Sequence, residues 1–528
     1  MRSFDLPGRS SVIAENGMAA TSHPLATATA LSILREGGNA VDAALAASAT
    51  LCVVEPHMTG IGGDCFVILA EPDGSVYGLN GSGRAPAAAE AGWYRARGDA
   101  GMPQTGVHAV TVPGAVDAWE RLSQRFGTLG FERLFADAIR YAEDGFAVHA
   151  RVARDWGRQI AALAADEGCA RHCLIGGAAP SAGTRFRFPA LAQTLRRIAR
   201  EGARAFYQGE IAAEMAATVQ ARGGFLTEAD LAAVEADWVK PISAGYGGHD
   251  VLEIPPSGQG ITALILMKLL EIGRASDLPP DSAGRYHLEI EAARLAYSVR
   301  DHLVADPASM TTTPEELLSD RFVDALAKQL RADRRNPSIT LPDMPRADTV
   351  YLTVVDRDRR AVSFINSVYS GFGAKVATAK SGVVLQNRGG CFTIEEGHPN
   401  ELRGGRRPMH TIIPAMALKD GLASASFGVM GGDYQPMGHA HVFANVVDYG
   451  MSPQEAIDHP RLFWGEDGVL EAEQGIPEAV RTKLISMGHE VRDAPSPHGG
   501  GQMIVIDREN GFLIGGSDPR KDGCAMGW

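Results

Sequence analysis

A mixed α/β fold, helix-rich in its first portion and strand-rich in its second, is predicted for this 528-residue chain. Two observations predict it. Between about 115 and 300, apolar residues recur at helical spacing, most clearly at 260–272 and 286–303. Beyond Thr349 the pattern switches to short apolar runs at 350–355 and 361–368, divided by Asp356-Arg357-Asp358-Arg359-Arg360, which reads as a hairpin. The length allows two or three average domains or one large α/β body.

In chain order, the first helix covers 24–35, with Leu25, Ala28, Leu31 and Leu34 on one face, and stops at Gly37-Gly38. An Ala-rich helix starts at Asp42. The loop Thr59-Gly60-Ile61-Gly62-Gly63-Asp64 then precedes a strand at 65–70. Its glycines lead into a strand rather than a helix N-terminus, so tight backbone packing fits better than phosphate binding. The helix at 286–303 mixes apolar residues with His287, Glu291, Arg294, Arg300 and Asp301, a pattern that reads as a solvated face. From Ala305 to Asp348, Pro307, Pro314, Pro337, Pro342 and Pro345 among many charges mark a surface connector around one short helix. Further strands are expected at 382–386, 412–418 and 423–428, and helices at 437–448 and 453–458.

Composition narrows the function. A formal charge of −13 opposes broad binding to nucleic-acid phosphates. The opening residues lack the apolar core of a signal peptide, and no segment reaches transmembrane length, so a cytoplasmic location without membrane association is expected. The six cysteines are scattered and make no disulfide framework. Cys169 and Cys173 flank His172, a weak metal signal that fits incidental thiols better; no metal or organic cofactor is expected. There is no G-x-S-x-G elbow and no H-E-x-x-H helix.

The most informative dipeptide is Asp348-Thr349. Taken alone, it reads as a turn opening a buried strand. If the bond before Thr349 were cut, however, one residue would carry both a hydroxyl and a free α-amine, a nucleophile with its own base.

Other stretches carry a resemblance. They include Gly37-Gly38-Asn39-Ala40-Val41-Asp42, Thr59-Gly60-Ile61-Gly62-Gly63, Val112-Pro113-Gly114, Pro255-Pro256-Ser257-Gly258, Glu291-Ala292-Ala293-Arg294, Arg407-Pro408, Gly431-Gly432 and Asp518-Pro519-Arg520. In their order and spacing the chain resembles the γ-glutamyltranspeptidases, N-terminal-nucleophile (Ntn) hydrolases matured by self-cleavage. The resemblance implies a four-layer αββα sandwich built by subunits 1–348 and 349–528 of one precursor. It places the nucleophile at Thr349, a supporting hydroxyl at Ser367 and oxyanion-stabilising glycines at Gly431 and Gly432, with cleavage between Asp348 and Thr349.

Recognition positions depart from the family. Ser82 stands where its carboxylate-gripping arginine falls, His410-Thr411 replaces a serine pair, and Tyr369 and Cys391 replace groups that receive an α-amine. Arg388, His410 and Arg84 remain as neutral or positive groups, so a small amide bearing a carboxylate and no amine is expected, as in the oxamate amidohydrolase branch. Hydrolysis of glutathione-like γ-glutamyl substrates, with Arg84 as the missing arginine, is the alternative. A non-catalytic, unprocessed scaffold is another. The expected partners are the small-molecule amide and the two subunits themselves, and an oligomer of the heterodimer is compatible with the sequence.

Overall fold

The computed structural model describes residues 4–5, 8–339 and 349–528. Two seven-stranded antiparallel sheets form its centre. One runs Cys524–Gly527, Met18–Thr21, Val350–Val355, Ala361–Ser367, Asp64–Ala70, Val76–Gly81, Asp237–Val239. The other runs Val12–Ala14, Phe512–Ser517, Gly500–Asp507, Leu422–Met430, Ala415–Lys419, His249–Glu253, Ile242–Tyr246. Both sheets mix strands from before and after Thr349, so the two portions share one body.

Helices Pro24–Arg35 and Ala40–Val54 pack on the first sheet, and Gly260–Ile272 and Gln435–Tyr449 on the second, with Ala283–Leu303 against Gly260–Ile272. The result is the helix–sheet–sheet–helix order of the Ntn hydrolases. Strand Val350–Val355 is buried along its whole length between a helical layer and the facing sheet, which explains its unbroken apolar run. Helix Ala40–Val54 is also buried throughout, and its alanines allow the close approach. It begins two residues before the expected Asp42. Asn39 caps it by accepting the N–H groups of Val41 and Asp42, while the Asp42 carboxylate accepts the Asn39 N–H.

Several expectations are corrected. Residues 382–386 form no strand, only an isolated bridge between Ala377 and Val384. The strands expected at 412–418 and 423–428 are Ala415–Lys419 and Leu422–Met430. The connector carries two short helices, Pro314–Leu317 and Asp320–Ala327. The first portion contributes strands to both sheets, so it is less purely helical than its periodicity implies. The polar face of helix Ala283–Leu303 is not solvated: His287, Glu291, Arg294 and Arg300 are all buried. Among the described residues no helix is long and apolar enough to cross a membrane, and no group of three or more His, Cys, Asp or Glu is placed to hold a metal.

Candidate active site

The hairpin fixes the first two groups. Val350 pairs with Asn366, so Thr349 and Ser367 face each other just beyond the paired ends, their hydroxyl oxygens 3.2 Å apart. The Tyr369 N–H donates to Ser367 Oγ at 2.8 Å, and Arg388 Nη2 approaches the same oxygen at 3.4 Å. Two N–H donors on one hydroxyl polarise it and strengthen it as a donor in turn. Tyr369 reaches this position with φ +81°, a left-handed backbone that a bulky residue adopts at a cost. Loop 60–63 supports the turn from below: a Cβ on Gly63 would lie 2.1 Å from the Ser367 carbonyl oxygen. Backbone packing is therefore what these glycines provide.

The facing sheet brings the glycine pair. Thr353 Oγ1 donates to Ser426 Oγ at 2.6 Å, and the Tyr351 ring lies against Gly428. Two more residues along each strand bring Thr349 opposite Met430 and the turn at Gly431-Gly432. These glycines have φ of +126° and +58° and lead into helix Gln435–Tyr449. A Cβ on Gly431 would sit 2.8 Å from Gly499 Cα, so no side chain fits there.

Arg388 is wholly buried in the turn Arg388–Cys391. Its guanidinium lies 4.3 Å over the Tyr369 ring, and Nη1 donates to Thr411 Oγ1 at 2.7 Å. Its Nε has no partner, and among the described residues no carboxylate pairs with it. Cation–π contact offsets part of the cost of burying this charge. A buried guanidinium with no carboxylate in direct contact among the described residues is nevertheless a ready anion site. Cys391 lies beside the Tyr369 hydroxyl, and burial raises its thiol pKa.

Behind these groups lies a network absent from the expected site. Gln259 Nε2 donates to the carbonyls of Thr411 (2.6 Å) and Gly432 (3.0 Å), while Arg300 Nη1 donates to Gln259 Oε1 (2.7 Å) and Asp433 Oδ1 (2.6 Å). Arg300, Gln259 and Asp433 thus tie the glycine turn to Thr411. Burial raises the Asp433 pKa, and Arg300 restrains the rise. The nearby Pro255-Pro256-Ser257-Gly258 stretch was the one sequence signal for Gln259; Arg300 and Asp433 had none.

Thr349, Ser367, Tyr369, Arg388 and Thr411 are brought together, with Gly431 and Gly432 opposite. His410 is adjacent but occupied. Its Nε2–H donates to Asp64 at 3.0 Å, and its Nδ1 accepts the Ile412 N–H at 3.3 Å. Burial, with Arg388 adding to it, pulls the His410 pKa down to about 4, so the ring is neutral. This arrangement orients the wall of the site and leaves no ring nitrogen for a ligand. Ser82 is buried, and its N–H is bound by Asn80 at 2.9 Å. Arg84 is half-exposed, 3.6 Å from Asp237 and 3.9 Å from Asp306, within a separate ion cluster. Asp348 lies outside the described residues.

The family model described as Gamma-glutamyltranspeptidase matches residues 26–528. The chain is 37% identical to the glutathione hydrolase-like YwrD proenzyme of Bacillus subtilis, covering 98% of this chain and 99% of the relative. It is 35% identical to the oxamate amidohydrolase proenzyme of Klebsiella pneumoniae, covering 98% and 100%. The cephalosporin acylase from Bacillus halodurans superposes with a TM-score of 0.93 at 38% identity, over 100% of this chain and 99% of the acylase.

Proposed function

Since the chain belongs to the gamma-glutamyltranspeptidase family of self-processing Ntn amide hydrolases, we propose that it hydrolyses a small carboxylate-bearing, oxamate-like amide through an acyl-Thr349 intermediate. Maturation comes first. Thr349 Oγ adds to the Asp348 carbonyl carbon, the C–N bond breaks, and the hydroxyl proton passes to the departing Thr349 nitrogen. Water then opens the ester, giving an Asp348 carboxylate on subunit 1–348 and a free α-amine and hydroxyl on subunit 349–528.

In catalysis the α-amine takes the Thr349 hydroxyl proton as Oγ attacks the substrate carbonyl. Ser367 hydrogen-bonds the nucleophile, and the N–H groups of Gly431 and Gly432 receive the oxyanion. The proton passes to the leaving amine, and water hydrolyses the acyl ester.

The observation that carries the substrate class is Arg388, buried without a carboxylate partner among the described residues. It stands only two hydrogen-bond lengths from Thr349, through Ser367. A carboxylate held there favours an acyl group whose carboxylate is next to the scissile carbonyl, as in oxamate. One feature favours the second reading, γ-glutamyl hydrolysis. Asp433 Oδ2 is buried without a hydrogen-bond partner, and it supplies the nearby acid that an α-ammonium requires. Steady-state turnover of oxamate and of glutathione by the matured protein separates them. A higher kcat/KM for oxamate supports the first reading; a preference for glutathione overturns it.

A further inference from the structure

Helix Ala283–Leu303 buries His287, Glu291 and Arg294 along one face, and that face holds the chain leading to the cleavage site. His287 Nε2–H donates to the Arg331 carbonyl at 2.6 Å. Glu291 Oε2 accepts the Asn336 N–H at 2.7 Å, and Glu291 Oε1 pairs with Arg294 Nη1 at 2.6 Å. Arg294 then spreads across two carbonyls, Asn336 at 3.1 Å and Ile339 at 2.6 Å. The portion after Thr349 holds the same stretch from its other side: the Arg335 N–H donates to the Met487 carbonyl at 2.8 Å, and His489 Nε2 lies 2.8 Å from His287 Nδ1.

Residues 331–339 belong to no helix or strand, so these side chains satisfy backbone groups that a ladder would otherwise bind. A buried ion pair adds little net stability over an apolar pair of similar size, so its informative aspect is where it points. It points at the last described residues before the scissile bond. Ile339 lies nine positions before Asp348 in the sequence, and Asp348 is joined directly to Thr349. Fixing the chain upstream restricts the orientations open to the Asp348–Thr349 peptide and so favours the one in which Oγ can attack its carbonyl carbon.

We propose that Glu291 and Arg294 are positioning residues for self-cleavage, anchoring the connector at Asn336 and Ile339 so that the Asp348 carbonyl is presented to Thr349. The step they serve moves the Asp348 acyl group from the Thr349 nitrogen to its oxygen, with the hydroxyl proton moving the opposite way. The proposal rests on the self-processing reading above and adds residues remote from the catalytic groups.

The test follows the intact 528-residue chain with time on denaturing gels after rapid purification, for wild type, Glu291→Gln and Arg294→Lys. Each variant keeps the size of the side chain, and Arg294→Lys also keeps the charge beside Glu291 if the neutral variant does not fold. Circular dichroism and melting temperature monitor folding. Cleavage should slow about tenfold or more in folded variants, while activity per cleaved molecule stays close to that of wild type. Wild-type cleavage rates in the folded variants overturn the proposal. Slowing matched by an equal loss of activity per cleaved molecule also overturns it, since general damage would do that. A wild-type chain that never cleaves refutes the self-processing reading itself.

Discussion

The hydroxyl oxygens of Thr349 and Ser367 stand 3.2 Å apart because Val350 and Asn366 pair in register on adjacent antiparallel strands. Strand register therefore sets the distance between the proposed nucleophile and its supporting hydroxyl. Ser367→Ala should lower kcat about a hundredfold with little change in KM, and Ser367→Thr should recover most of it. Steady-state kinetics on matured protein, corrected for the cleaved fraction, provide the check. Unchanged kcat in Ser367→Ala would remove Ser367 from the chemistry.

Arg388 gives a split between recognition and stability. Arg388→Met should raise KM for a carboxylate-bearing amide by about 10- to 100-fold, the worth of one charge-assisted contact. Arg388→Lys should recover only part of this, since it keeps the charge and loses the planar fork. The melting temperature of Arg388→Met should hold or rise, because the charge removed is buried with no carboxylate in direct contact among the described residues. A fall in stability with KM unchanged would assign Arg388 to packing alone.

Gly431→Ala combines a disfavoured backbone with a clash. At φ +126°, with Gly499 Cα 2.8 Å from the new methyl, the turn must shift, and its N–H groups shift with it. The expected result is a kcat about 10²–10³ lower with a smaller change in KM. Normal kcat would place the oxyanion elsewhere.

The buried histidine predicts an acid sensitivity of stability. His410 titrates at about 4 in the folded chain, below its ordinary 6.5, so the unfolded chain takes up the proton first. Its contribution is complete above about 6.5, is lost as pH falls toward 4, and falls no further below that. The full difference is about 3 kcal/mol. Glu55, pushed up to about 7 by burial, titrates in the opposite sense. Thermal melts of wild type and His410→Gln across pH 4–7 isolate the histidine, because Glu55 is common to both. Parallel curves would contradict the prediction.

The sequence carried the parts of this site that local pattern encodes. The hairpin was legible because two apolar runs flank a charged turn, and helix Pro24–Arg35 because proline opens it and glycines follow it. The network of Gln259, Arg300 and Asp433 was not legible, since its partners are brought together from distant parts of the chain and no spacing rule links them. The inward face of helix Ala283–Leu303 shows a different limit. Charges at helical spacing look the same in sequence whether they meet water or a connector, and only the packing of 331–339 against them decides. His410 was similarly ambiguous: Asp64, distant in sequence, takes up its Nε2–H.

In the proposed mechanism, cleavage before Thr349 creates the nucleophile, and intact-mass analysis with N-terminal sequencing of the purified protein reads that event itself. Two chains are expected, 1–348 and 349–528, the second beginning at Thr349, with Thr349→Ala remaining a single inactive chain. A wild-type protein that hydrolyses amides as one intact chain, or whose second chain begins at another residue, would contradict it.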